Sequence, residues 1–119
     1  MKVHYLEIVS TEVDAVCASY AAMLGVTFGG PDPVLGNART AALSGGGLVG
    51  VRAPLRATET AVVRPYFLVD DLDAAVAAAA AAGAEVAIAS MELPGRGRIA
   101  VFLQGGAEHG LWEIADTAG

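Results

Sequence analysis

Five side chains in this sequence could together recognise an anion or move a proton. Arg64 stands at the start of an otherwise apolar strand, and its planar guanidinium can donate two parallel hydrogen bonds to a carboxylate, enolate or phenolate. Tyr5 and Tyr66 could stack on an aromatic molecule or hydrogen-bond to it. Glu7 or Glu113 could act as a general acid or base if burial raised the pKa of its carboxyl group. This set favours the recognition of a small, oxygen-rich organic molecule.

The composition argues against several other classes of partner. The net charge is −6 and Lys2 is the only lysine, so the clustered cations needed for nucleic acid or anionic membranes are missing. No stretch is long and apolar enough to span a bilayer, and the N-terminus does not resemble a signal peptide, so we expect a cytoplasmic protein. Cys17 is the only cysteine. We expect it to be a small buried hydrophobe, not part of a disulfide or a zinc site.

The first half of the chain shows a strand, a helix and three short strands. Residues 3–10 are rich in β-branched and aromatic side chains and predict a strand. Ser10 or Thr11 can cap a helix that Gly25 ends. The predicted helix covers residues 13–24, and the three strands cover residues 26–28, 38–43 and 47–54.

The second half repeats this order. Asp70 or Asp71 can cap a helix that begins near Leu72 and ends at Gly83, and the acidic residues here indicate a helix start, not a metal site. The predicted strands cover residues 64–69, 84–90, 97–104 and 109–114. The sequence EVDA at residue 12 aligns with DLDA at residue 71, an offset of 59 residues, about half the chain.

The repeated order predicts the fold class. Three successive strands after each helix imply antiparallel pairing, not a doubly wound parallel sheet. We therefore predict an α+β fold in which residues 1–119 form a single domain of two tandem βαβββ modules, at about 1–57 and about 58–119. The modules are expected to form an open, curved mixed sheet, a half-barrel around a central trough, with the helices outside.

The same order resembles the vicinal oxygen chelate superfamily, which includes glyoxalase I, bleomycin-resistance proteins and extradiol dioxygenases. The segment LEIVSTEVDAVCASYAAMLGV resembles the family's first strand, acidic cap, helix and Leu-Gly ending. FLVDDLDAAVAAAAAAGAEV resembles its second-half counterpart, and GGAEHGLWEI resembles the closing hairpin. The resemblance covers nearly the whole chain. It implies a small molecule bound in the trough and, in the family's enzymes, one divalent metal there.

The family's metal positions are mostly altered in this chain. The resemblance places the first-strand ligands at Tyr5 and Arg64 and a last-strand ligand at Glu113, while the matching strand GLVGVRAP contains no His or Glu. Arginine stays protonated at working pH and is not a ligand. We therefore expect no metal and no other cofactor. A divalent metal held by Glu113 with His4 or His109 is the less favoured alternative.

Strand alternation predicts which side chains face the trough. On the first strand, Tyr5, Glu7 and Val9 should face it, because the opposite register would turn Glu7 toward the helix. His4 is then expected at an edge or interface, and Trp112 on the helix side. The directions of Arg39 and Arg52 stay open. The predicted ligand-binding set is Tyr5, Glu7, Arg52, Arg64, Tyr66, Leu111 and Glu113.

Three functions are compatible with these residues. The favoured one is a glyoxalase- or bleomycin-resistance-like protein that binds a small organic ligand, aromatic or oxygen-rich and possibly anionic, without the usual metal. The alternative is a lyase, isomerase or dioxygenase-like enzyme. It would use Glu7 or Glu113 as acid or base and Arg64 as the electrophilic group, or rearranged metal ligands. The third is an accessory protein in which Arg64 forms only an internal ion pair. The resemblance also implies a homodimer.

Overall fold

The computed structural model describes residues 1–115, which form two compact units. The first unit is Tyr5–Val63, and the second unit combines Met1–His4 with the residues from Arg64 onward. The carbonyl of Lys2 accepts the N–H of Leu68 at 2.8 Å, which ties the N-terminus to the second unit.

The first unit contains one α-helix and a small mixed sheet. Its elements are β1 (Val3–Val9, whose first two residues belong to the second unit), α1 (Val13–Leu24), β2 (Pro31–Asp32), a 3₁₀ turn (Pro33–Leu35), β3 (Ala38–Ala42) and β4 (Leu48–Arg52). The strand order is β2-β3-β4-β1. β1 and β4 are parallel, and the other neighbours are antiparallel.

The second unit repeats this arrangement. Its elements are β5 (Val62–Leu68, whose first two residues belong to the first unit), α2 (Leu72–Ala81), β6 (Glu85–Leu93), β7 (Gly97–Gln104) and β8 (Ala107–Glu113). The strand order is β5-β8-β7-β6, with β5 and β8 parallel and the other neighbours antiparallel.

The strand register confirms the repeat. Glu7 of β1 pairs with Gly50 of β4, and Tyr66 of β5, 59 positions after Glu7, pairs with Gly110 of β8. The α+β class, the two βαβββ modules and the mixed strand pairing are therefore confirmed. The predicted strand at residues 26–28 was wrong: this segment has no strand assignment, because its apolar side chains pack into the core beside α1.

The two helices begin differently. Ser10 Oγ accepts the N–H of Glu12 at 3.0 Å, but Glu12 itself is the N-cap of α1 and its side chain makes no capping bond. The predicted caps Ser10 and Thr11 were therefore one or two residues early. Asp71 caps α2 as predicted, because its Oδ1 accepts the N–H of Ala74 at 3.0 Å.

Both helices are short and are followed by glycine. Gly25, with φ of 65°, ends α1 as predicted, and Gly83, with φ of 104°, follows the last turn of α2. Left-handed backbone of this kind favours glycine. Within residues 1–115, no helix has the length and apolar character needed to cross a membrane.

One face of the first sheet packs against α1. Its buried core consists of Ile8, Cys17, Ala41, Val49 and Val51. Cys17 is only 3% exposed, which confirms its prediction as a buried hydrophobe. Because side chains alternate along a strand, Tyr5, Glu7 and Val9 face away from α1, as predicted.

One face of the second sheet packs against α2. Leu72, Ala100 and Leu111 form its buried core, and the partly buried Phe67 and Phe102 pack against them. The opposite face of β5 therefore carries the side chains that alternate with Phe67, namely those of Arg64, Tyr66 and Leu68.

Candidate functional site

Arg52, Glu7 and Glu59 form a buried ion cluster in the first unit, here called the Arg52 centre. Arg52 Nε donates to Glu7 Oε2 at 2.9 Å. Its two terminal nitrogens donate to the two oxygens of Glu59, at 2.9 Å and 2.7 Å. The Arg52 side chain is 7% exposed. The hydrogen bonds to Glu59, and then those to Glu7, raise the pKa of Arg52 against the opposing effect of burial.

The two arginines whose directions were left open lie on opposite faces of the first sheet. Arg52 pairs with Val9 and therefore faces away from α1. Arg39 pairs with Val51, a residue of the α1-facing core, and its guanidinium donates to Asp14 Oδ1 at 2.9 Å. Only Arg52 therefore shares a face with Glu7.

Tyr5 lies beside the Arg52 centre, over a glycine. It is 2% exposed, and a Cβ atom added to Gly50 would collide with its hydroxyl group. Glycine at position 50 is thus required for the tyrosine ring to lie flat against β4.

Arg64, Tyr66 and Glu108 form a second ion cluster, here called the Arg64 centre, in the second unit. One terminal nitrogen of Arg64 donates to both oxygens of Glu108, each at 3.1 Å. The other terminal nitrogen lies 3.5 Å from the Tyr66 hydroxyl. The Arg64 side chain is 9% exposed, and that of Glu108 is 35% exposed. Arg64 and Tyr66 share the face away from α2, as predicted.

An aromatic cluster adjoins the Arg64 centre. The rings of Tyr66 and Trp112 meet edge to face with centroids 5.9 Å apart, and Trp112 meets His4 at 5.0 Å. The prediction that Trp112 faces the helix was wrong, because its pairing with Leu68 places it on the face opposite Leu111. Burial, and then the charge of Lys2, lower the pKa of His4.

Glu113 and Leu111 lie on the α2 side of the sheet, so their predicted place beside Arg64 was wrong. Leu111 pairs with Phe67 and joins the α2 core. Glu113 Oε2 accepts the N–H of Leu72 at 2.8 Å, and its Oε1 lies 3.1 Å from an Arg98 nitrogen. The Leu72 N–H, and then Arg98, lower the pKa of Glu113. Glu113 is thus an ionised acceptor at the start of α2, unsuited to be a general base near neutral pH.

His109 also lies on the α2 side of the sheet. It belongs to β8, and Gly105 and Gly106 form the turn before that strand. Its ring stacks on Phe102 with centroids 5.3 Å apart. It shares a face with Glu113, but that face is opposite to the one that carries Arg64.

The positions that the resemblance assigns to metal ligands do not fit a divalent metal. Tyr5 packs over a glycine, Arg64 is a cation paired with a carboxylate, and Glu113 is bound at the start of α2. A divalent metal needs several converging oxygen or imidazole donors, which a guanidinium repels. Among the described residues, no group of three or more His, Cys, Asp or Glu side chains could hold a metal ion.

A cavity of about 690 Å³ lies at the start of α2, away from the Arg64 centre. Its lining residues are Asp70, Asp71, Glu92, Leu93, Gly95, Gly97, Arg98, Glu113, Ile114 and Ala115. Four carboxylates and one guanidinium make this cavity acidic. It is therefore unsuited to the anionic ligand that the sequence predicts.

The structure also identifies partners that the sequence analysis missed. Glu59 and Glu108 bind the two buried arginines, and no local pattern distinguishes them from solvated surface residues. Arg98 could have been found, because a two-residue Gly-Gly turn sets the β7–β8 register and places Arg98 opposite Glu113.

The comparisons with known proteins reveal solved structures with a similar fold. No family model matches this chain, and no curated protein matches it. Methylmalonyl-CoA epimerase from Mycobacterium tuberculosis has a TM-score of 0.69 at 18% identity, with 94% of this chain and 87% of that chain covered. A hypothetical protein from Bacillus halodurans has a TM-score of 0.70 at 15% identity, with 99% and 97% covered.

A third similar structure contains a bound ligand. It is a variant of Streptomyces coelicolor methylmalonyl-CoA epimerase in complex with 2-nitronate-propionyl-CoA, with a TM-score of 0.65 at 21% identity and 97% and 95% of the two chains covered. At these identities the similarity establishes the fold and not the activity. The neighbours and the repeated βαβββ modules agree with the resemblance of the sequence motifs: the chain has the vicinal oxygen chelate fold.

Proposed function

We propose that this protein binds a small organic anion through Arg64, without the divalent metal usual in the superfamily. The observation that carries the proposal is the geometry of the Arg64 centre. One terminal nitrogen of this buried guanidinium donates to both oxygens of Glu108, each at 3.1 Å, whereas two nitrogens of Arg52 meet the two oxygens of Glu59.

The partner of Arg64 favours exchange with a ligand. The Glu108 side chain is 35% exposed, so water can solvate its carboxylate when a competing anion binds. A ligand carboxylate that engages two nitrogens in parallel would make a stronger contact than the bond seen with Glu108. The Tyr66 hydroxyl lies 3.5 Å from the other terminal nitrogen of Arg64, so a ligand bound to this guanidinium would lie beside a polar group.

The ligands of similar structures support an anion. A solved methylmalonyl-CoA epimerase is described in complex with methylmalonyl-CoA and NH4+. That thioester carries a free carboxylate and several phosphate charges. A carboxylate or enolate of an acyl thioester is therefore one candidate class for this chain, beside simple aromatic and aliphatic acids.

Binding can be measured by calorimetry and thermal shift with benzoate, salicylate, methylmalonate and methylmalonyl-CoA. At least one should stabilise the protein in a saturable way, since a ligand of the native state raises stability by mass action. Arg64→Met should weaken that binding by at least about tenfold, because the guanidinium fork is lost. Arg39→Met, a matched change at an exposed ion pair, should leave the ligand affinity unchanged. Equal binding by wild type and Arg64→Met would contradict the proposal.

The metal-free part of the proposal needs its own measurement. Protein purified without a histidine tag should contain less than stoichiometric divalent metal by elemental analysis. Addition of Mg²⁺, Mn²⁺, Ni²⁺ or Zn²⁺ should not increase ligand affinity. One equivalent of retained metal would contradict it.

An enzyme remains the alternative, favoured by the epimerases among the similar structures. Of the two predicted acid–base groups, Glu7 is the stronger candidate, because Glu113 is bound at the start of α2. Nuclear magnetic resonance in D2O would detect exchange of the α-proton of methylmalonyl-CoA. Exchange that disappears in Glu7→Gln would favour the enzyme. A homodimer and a cytoplasmic location stay predictions, and sedimentation would measure the first.

A further inference from the structure

We propose that Gly110 is a positioning residue of the Arg64 centre. Its missing side chain gives Tyr66 the room to lie against β8, and the Tyr66 hydroxyl then orients the Arg64 guanidinium. All three residues belong to the second unit. The expected effect on ligand affinity rests on the proposed function, whereas the effect on the motion of the guanidinium does not.

The ring of Tyr66 lies directly over Gly110. The two residues are paired on the neighbouring strands β5 and β8. A Cβ atom added to Gly110 would collide with three atoms of the Tyr66 ring, Cγ, Cδ2 and Cε2. The ring therefore occupies the space that any other residue at position 110 would need for its own side chain.

The backbone gives no reason for a glycine at position 110. Gly110 lies inside β8, and its φ is outside the left-handed region that favours glycine. Glycine weakens the interior of a strand, because it has no side chain to pack and loses much conformational freedom on folding. The close approach of the Tyr66 ring is thus the structural requirement that glycine meets here.

The ring of Tyr66 also contacts Trp112. The two rings meet edge to face, with their centroids 5.9 Å apart and their planes at 86°. Trp112 is itself anchored, because its Nε1–H donates to the carbonyl of Arg96 at 3.0 Å. Both rings are buried. A buried ring that packs against Gly110 and Trp112 has little freedom to move, so its hydroxyl group has a defined position.

The position of this hydroxyl group affects the direction of the Arg64 guanidinium. Arg64 and Tyr66 are two residues apart on β5 and share one face of the sheet. One terminal nitrogen of Arg64 donates to the Tyr66 hydroxyl oxygen at 3.5 Å, and the other donates to Glu108. Arginine recognises a carboxylate through the fixed planar arrangement of its nitrogens. A displaced Tyr66 should therefore loosen the guanidinium and weaken ligand binding.

The first unit provides a matched control. A Cβ atom added to Gly50 would collide with the Tyr5 ring and its hydroxyl group. The φ of Gly50 is also outside the left-handed region. Gly50→Ala thus creates a collision of the same kind as Gly110→Ala, in a strand of the other unit.

The first experiment measures the rotation of the Arg64 guanidinium by nuclear magnetic resonance, with its signal assigned through Arg64→Met. Gly110→Ala and Tyr66→Phe should each speed this rotation at least about threefold, because each weakens one hydrogen bond to the guanidinium. Gly50→Ala should leave the rotation unchanged. Tyr66→Phe keeps the ring, so it should shift the urea midpoint less than Gly110→Ala does.

The second experiment measures the affinity for benzoate, salicylate and methylmalonate by calorimetry. Each acid that wild type binds should bind Gly110→Ala and Tyr66→Phe at least about threefold more weakly, and Gly50→Ala equally well. Adding Tyr66→Leu to Gly110→Ala removes the collision but not the loss of the hydroxyl group. Stability should then recover while affinity stays low, whereas a role in packing alone would restore both.

The outcomes separate this proposal from the proposed function. Unchanged rotation in the folded variants Gly110→Ala and Tyr66→Phe, or an equal change in Gly50→Ala, would overturn the role of Gly110. If Gly110→Ala does not fold, Tyr66→Phe decides. Failure of wild type to bind any of the three acids would contradict the proposed function, and the rotation rates would still decide the role of Gly110.

Discussion

The two units place a buried arginine on the face of their sheets that points away from the helix, but they neutralise it differently. In the first unit, Arg52 is held by two carboxylates, one from β1 and one from a loop, through three nitrogens at 2.7–2.9 Å. In the second unit, Arg64 meets Glu108 through one nitrogen at 3.1 Å, and that glutamate is one-third exposed. The two arginines are almost equally buried, with side chains 7% and 9% exposed, so the units differ in the carboxylates that meet them: those of Arg52 are largely buried, whereas Glu108 is 35% exposed.

This difference shows why a buried charge in a repeated fold needs individual analysis. Neither arginine occupies the position that the repeat would assign to the other: Arg52 lies on the last strand of its unit and Arg64 on the first strand. The repeat therefore reproduces the backbone, while the charged residues that its strands carry differ between the two units.

The largest expected effect is on stability when Arg52 is neutralised. Arg52→Met removes the buried guanidinium that donates to both Glu7 and Glu59, which should lower the free energy of unfolding by about 3–5 kcal/mol. Urea denaturation measures it. Arg39→Met, at an exposed pair, should cost at most about 1 kcal/mol. Similar losses for both variants would mean that the ion pairs of the Arg52 centre contribute no more to the free energy of unfolding than a surface ion pair does.

Arg64→Met should cost less, about 1–3 kcal/mol, because water can solvate the exposed Glu108 after its partner is lost. The same denaturation experiment tests it. Adding Glu108→Gln to Arg64→Met should recover part of the loss, since no unpaired carboxylate is left. A loss equal to that of Arg52→Met would remove the distinction between the two centres.

The N-caps of the two helices also differ between the units, with smaller expected effects on stability. Asp71→Ala removes a capping bond from α2 and should cost about 1 kcal/mol. Glu12→Ala removes no capping bond from α1 and should change stability by no more than about 0.5 kcal/mol. Denaturation midpoints of the two variants compare them directly. Equal losses would indicate that the Asp71 bond is exchanged for water at no cost.

The smallest expected effect is the loss of the stabilisation by Glu113 at low pH. The pKa of Glu113 is lowered in the folded state, so its ionised carboxylate stabilises the fold at any pH above the ordinary glutamate pKa. This stabilisation is lost as the pH falls through the lowered pKa. Glu113→Gln should therefore be less stable than wild type at neutral pH, and the difference should shrink in acid. Denaturation at about pH 7 and pH 3, with exposed Glu85→Gln as control, measures this. A pH-independent difference would argue against the ionised cap.

The order of elements was predictable because short-range chemistry sets it. The apolar spacing of α1, the Asp71 cap and the glycines that follow both helices are local signals, and the 59-residue offset made the two βαβββ modules visible. The directions of Tyr5, Glu7, Arg64 and Tyr66 followed from strand alternation. The directions of Leu111, Trp112 and Glu113 could not be predicted in this way, because the register of β8 depends on its pairing with β5 and β7. A shift of one residue moves every side chain of the strand to the opposite face of the sheet.

The sequence alone therefore determined the fold class, the repeat, and Arg64 as an unusual cation at the start of an apolar strand. Only the tertiary structure decided which carboxylate each arginine meets. Arg52 finds Glu59 on a loop seven residues away, and Arg64 finds Glu108 on a strand 44 residues away. The physical reason is that charges pair through space. Strand register and the path of the loops decide which charged side chains meet. Neither can be predicted from the residues that flank each charge in the sequence.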